Sequence, residues 1–121
     1  MGNLPDIRKQ LSGRDLFNAF KLQLIKDFSK NAVSADFVAA LEPNYDRIHD
    51  AIALELRNNS RKPGFNLQQL LYSIDISEAQ LAKYSDKQPS EDHFSVIAEL
   101  IIKRVLQKVV LKQYYKNADR Q

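Results

Sequence analysis

From His93 to Tyr115 the chain places Phe94, Ile97, Ala98, Ile101, Ile102, Val105, Leu106 and Val109 three and four residues apart. That spacing keeps side chains on one face of an α-helix. With its flanking polar residues the stretch runs from Ser90 to Lys116, and no other segment is as long or as apolar. Ser90, Glu91 and Asp92 put negative charge where the first turn of a helix favours it. Some 26 residues at ~1.5 Å each give roughly 39 Å, against about 30 Å across a small domain. The rest of the chain must therefore be arranged around this helix, and its far end is expected to project.

Three glycines and four prolines in 121 residues, with few runs of alternating β-branched residues, point to an all-α fold. We expect a compact bundle of five or six helices with one long C-terminal helix. Residues 1–13 form an N-terminal lead-in, a tail or an ordered approach, and residues 14–121 a single helical domain. Within it, Arg14 to Lys30 carries the stripe Phe17, Phe20, Leu24 and Phe28, and Ser12 or Asp15 stands near its N-cap. Ser34 can cap a short helix bearing Phe37, Val38 and Leu41, which Pro43 limits. A third helix runs to about Arg57 and buries Tyr45, Ile48, Ile52 and Leu56. Asn58 to Gly64 reads as a loop. Asn66 caps a helix through Ile74, and Ser77 with Gln80 forms a capping box for another reaching about Tyr84. Ser85 to Pro89 reads as a second loop.

Cysteine is absent, which excludes disulfides, thiolate catalysis and cysteine-ligated zinc. The start of the chain shows no basic-then-apolar leader, and its longest apolar run is five residues, Phe37 to Leu41, so the expected location is the cytoplasm, with no membrane contact. The net charge of +3 is unevenly divided: the segment after Glu99 carries +5 and everything before it sums to −2. Asp36, Glu42, Asp46, Asp50 and Glu55 face a single Arg47, so an acidic middle precedes a basic end.

The candidate functional surface follows from that end. Arg104, Lys108, Lys112 and Lys116 are four residues apart and form a ridge that drifts around the last helix. Leu100, Leu111, Tyr114 and Tyr115, with Val96 further back, sit largely away from the main apolar stripe. A helix apolar on two sides is either sandwiched in its own fold or touching another molecule. Tyrosines among lysines and arginines suit a protein interface. The leading reading is a non-catalytic protein-interaction or regulatory module in which this helix engages an acidic surface, on a second copy or on another protein. The alternative is nucleic-acid binding through the same ridge with Arg57, Arg61 and Lys62.

Gln69 to Leu81, continuing to Tyr84, resembles the helix-turn-helix core of DNA-binding regulators through Ile76-Ser77 and Leu81. It departs at Leu71, where that family has a small residue, and at Asp75, where it has glycine. The chain as a whole is similar to small bacterial helical proteins, a likeness that transfers no function. Glu42, Asp46 and His49 share a helix face, but a carboxylate dimetal centre needs a second such set. Serines stand at caps, and no phosphate loop or nucleophile elbow is present. We therefore expect no catalytic residue, no metal, no cofactor and no small-molecule substrate.

Overall fold

The long apolar helix forms where its periodicity places it, and α1, α2 and α4 pack on it. In the computed structural model, which describes residues 9–31, 33–87 and 92–119 (residue 87 and 116–119 as backbone alone), the described residues contain helices and no strand. We label the helices α1 (Arg14–Ser29), α2 (Tyr45–Asn59), α3 (Leu67–Ser73), α4 (Glu78–Lys87) and α5 (His93–Asp119), with a 3₁₀ helix at Asp36–Ala40 between α1 and α2. A helical turn at residues 9–12 leads into α1 and buries Leu11. Of the expected lead-in, residues 1–8 lie outside the described residues, as do Gln88 to Glu91.

α5 buries Ile97, Ala98, Ile101, Ile102, Val105, Leu106 and Val109, while Phe94 is half-buried. It packs against α2, α1 and α4, so it is held on three sides. Val96 is buried and Leu100 is half-buried against the core, on the side of α5 where Tyr84 of α4 meets Glu99 and Lys103. α4 itself runs on to Lys87, past the expected end at Tyr84.

On α1, Phe17, Phe20, Leu24 and Phe28 are buried as their spacing demands. Its N-cap is Gly13, with no side-chain cap, and the Ser12 hydroxyl donates instead to the Lys9 carbonyl at 2.6 Å. The short helix expected after α1 forms as a 3₁₀ helix whose N-cap is Ala35 rather than Ser34, and Ser34 Oγ accepts from Asp36 N at 3.3 Å at its entry. Asn44 caps α2 by accepting from Arg47 N at 3.1 Å. The helix continues two residues beyond Arg57, because Asn59 is buried and donates to the Glu55 carbonyl at 2.7 Å. Gly64 then takes φ +86°, a conformation that favours glycine.

Asn66 caps α3 through Gln69 N at 3.0 Å, and Ser77 and Gln80 satisfy each other's backbone N–H groups at the start of α4. Between them Asp75 sits at φ +66°. Ile76 N donates to Leu71 O at 2.9 Å and Asp75 N to Tyr72 O at 3.0 Å. This is the paired closure of a helix whose next residue is left-handed, with Ile76 and Leu71 both buried. Asp75 thus occupies the glycine conformation without being glycine. Replacing it by Ala or by Gly removes its carboxylate alike, so the two variants differ only in backbone cost. Urea denaturation should find Asp75→Gly more stable than Asp75→Ala by about 1–2 kcal/mol; equal stabilities would contradict the left-handed assignment.

Candidate functional site

The basic ridge of α5 does not face solvent uniformly. Lys108 Nζ donates to Asp27 Oδ2 at 3.3 Å and reaches the Ser73 carbonyl at 3.5 Å. Asp27, on the inner side of α1, is only 2% exposed. Its other carboxylate oxygen accepts from Gln23 Nε2 at 3.1 Å, and Lys112 Nζ donates to Gln23 Oε1 at 2.6 Å. Asn31 Nδ2 donates to the Asp27 carbonyl at 3.0 Å and its Oδ1 accepts from Ser73 Oγ at 3.3 Å. One polar knot therefore joins α1, the C-terminal end of α3 and α5. A buried carboxylate needs such partners, and a lysine at the last carbonyls of a helix is favourably placed.

Further back on α5 the charges are also engaged. Arg104 donates to Asp75 at 3.2 Å and to Gln107 at 2.6 Å, fixing the α3–α4 turn to the long helix. Tyr84 of α4 donates to Glu99 Oε1 at 2.8 Å, and Lys103 donates to the Tyr84 hydroxyl. Burial pushes the Tyr84 phenol well above its ordinary value, helped by the hydrogen bond and negative charge of Glu99. That hydroxyl is a neutral donor at neutral pH. Of the predicted surface, then, Leu100, Arg104 and Lys108 serve the fold.

Beyond Val109 the situation reverses. Leu111, Tyr114 and Tyr115 are 44%, 66% and 63% exposed, and the Tyr114 and Tyr115 rings meet edge-on with centroids 5.5 Å apart. Lys116 lies in the stretch described as backbone alone. Leu111 and Tyr115 do not stand alone. With Lys108 and Lys112 of α5, Lys26 of α1 and Lys30 just past its end they line an open groove of about 700 Å³. Lys108 is neutralised by Asp27, but none of the ion pairs of the described residues involves Lys26, Lys30 or Lys112. Lys26 and Lys30 carry no apolar signature, and only the packing of α1 beside α5 brings them to this site.

The other sequence candidates are placed differently. His49 stacks on Tyr45, and its Nε2 lies 2.9 Å from the Ser95 carbonyl. A carbonyl only accepts, so Nε2 carries the proton and the ring ties α2 to α5. Glu42 is turned to Arg47 at 3.5 Å, and no group of three or more acidic or histidine side chains among the described residues could share an ion. Helix, tight turn and helix do occur at residues 67–87, yet α4 carries two carboxylates, Glu78 and Asp86, against two lysines, Lys83 and Lys87, and so no net positive charge. Arg57 is taken by Asp92 at 2.5 Å, while Arg61 and Lys62 are exposed on their loop.

If Asp27 depends on Lys108, removing the amine strands a buried carboxylate. We expect Lys108→Ala to cost about 3 kcal/mol, within the range for breaking a largely buried pair, and Lys112→Ala under ~1 kcal/mol. Adding Asp27→Asn to Lys108→Ala should recover part of the loss in a double-mutant cycle. Additive effects would contradict the coupling.

Comparison with protein-family models, with curated proteins and with solved structures finds no match.

Proposed function

We propose that the chain is a non-catalytic protein-interaction module, acting in the cytoplasm, whose groove between α1 and the end of α5 takes an acidic, amphipathic helix of a protein partner. The observation that carries this reading is the combination at one place of surplus positive charge with exposed apolar side chains. Lys26, Lys30 and Lys112 rim the groove, and Leu111 and Tyr115 form its apolar part. An amphipathic helix laid in such a groove buries its apolar anchors against the leucine and the tyrosine ring and sets its carboxylates against the ammonium groups. Such charge complementarity speeds encounter and sets register more than it adds affinity. No helix among the described residues is long and apolar enough to cross a membrane.

A protein partner fits better than nucleic acid. The helix that would read bases, α4, carries as many carboxylates as lysines and so no surplus positive charge for phosphates, and the arginine nearest the loop cations is engaged by Asp92. The engaged His49 ring and the capping serines support the non-catalytic part of the reading.

The test is fluorescence anisotropy with a labelled synthetic helix carrying Leu and Glu on alternate turns, compared with a labelled single-stranded oligonucleotide. We expect the peptide to bind, Leu111→Ala with Tyr115→Ala to weaken it at least tenfold, which is ~1.4 kcal/mol, and circular dichroism to stay unchanged because both side chains are exposed. Unaltered peptide binding by that variant would overturn the site. Tighter binding of the oligonucleotide, falling steeply with salt, would replace it with the nucleic-acid reading.

A further inference from the structure

We propose that the acidic helix filling this groove is α2 of a second copy of the same chain, an inference that rests on the interaction reading above. α2 presents Asp46, Asp50 and Leu54 at four-residue spacing, all on its exposed side. Leu54 is 55% exposed, an apolar side chain on the solvent face of a helix whose opposite side is already buried against the core. Asp50 keeps most of its side chain in water, touching only its neighbour His49 at 3.2 Å. This face therefore has the composition that the groove calls for: one apolar anchor, with carboxylates one and two turns before it.

The dimensions agree. Asp46 to Leu54 spans ~12 Å along α2, and Lys108 to Tyr115 spans ~10 Å along α5. Leu54 meets Leu111 and the Tyr115 ring, and Asp50 and Asp46 meet the lysines of α1 and Lys112. The chain's own α2 is out of reach. Its polar links run from His49 to Ser95 and from Arg57 to Asp92, at the first turn of α5, whereas the groove begins at Lys108, roughly 20 Å further along the axis. The occupant is therefore another copy.

Such a contact is heterologous: each chain offers a face at one end and a groove at the other, so copies add head to tail. A single helix face is a small interface, so the association is weak, and its charge pairing makes it weaker as salt rises. It shows at high protein concentration and low ionic strength.

Sedimentation velocity over a concentration series tests this with two variants, one altered in the face (Asp50→Lys with Leu54→Asp) and one in the groove (Lys26→Glu with Lys30→Glu). All four positions are exposed. The unaltered chain should form species that grow with concentration, and each variant alone should stay monomeric. An equimolar mixture should yield a 1:1 dimer and nothing larger, because the face variant keeps its groove and the groove variant keeps its face. A chain that stays monomeric at about 1 mM, or variants that still associate alone, would overturn the proposal. Should the synthetic peptide bind while the chain does not self-associate, the groove stands and its occupant is another protein. Loss of both removes the interaction reading as well.

Discussion

The fold depends on a carboxylate placed where water cannot reach it. Asp27 lies on the core side of α1, and an uncompensated charge there would be costly. Lys108 answers from α5, Gln23 from one turn earlier on α1, and the same lysine reaches the end of α3 at Ser73. A buried ion pair closed on three elements favours one register of those helices, and we read the Asp27–Lys108 pair as the register pin of this bundle.

That pin divides α5 into two functional lengths. Up to Val109 its apolar side chains are buried, and its charges at Lys103, Arg104 and Lys108 tie it to α4, to the α3–α4 turn and to α1. Beyond Val109 the hold thins to one hydrogen bond, from Lys112 to Gln23: Leu111, Tyr114 and Tyr115 stand exposed, with Lys26 and Lys30 at the end of α1 alongside. The same lysine periodicity that looks uniform along the helix meets a buried carboxylate at Lys108 and only a neutral amide at Lys112, whose charge stays unpaired by any carboxylate among the described residues.

Much of this was legible in the residues. Threefold and fourfold apolar spacing marks the buried faces of α1, α2 and α5, and the caps at Asn44, Asn66 and Ser77 announce their helices through short-range chemistry. What was not legible was which faces meet. Asp27 and Lys108 are 81 residues apart, and no local pattern couples them. Val96 and Leu100 looked like part of an outer patch because periodicity assigns faces around one helix but not which neighbour lies against each face, and the fold buries Val96 and half-buries Leu100. Asp75 broke the glycine rule of its turn and took the left-handed conformation anyway, with Arg104 holding its carboxylate. Of the candidate surface, the exposed tip was visible as misplaced apolar residues, whereas Lys26 and Lys30 were hidden among ordinary solvated charges.

α5 leaves the shelter of its own fold just past Val109. Hydrogen–deuterium exchange of dilute protein, resolved along residues 93–115, measures this directly. It should show strong protection through Val109 that drops by at least tenfold within the next turn, since a projecting helix end opens with little cost while buried turns need larger openings. Protection continuing undiminished through Tyr115 would mean that the chain covers its own tip, and fast exchange already at Val105 would mean that the Asp27–Lys108 pin does not hold; either result contradicts the structure's central division.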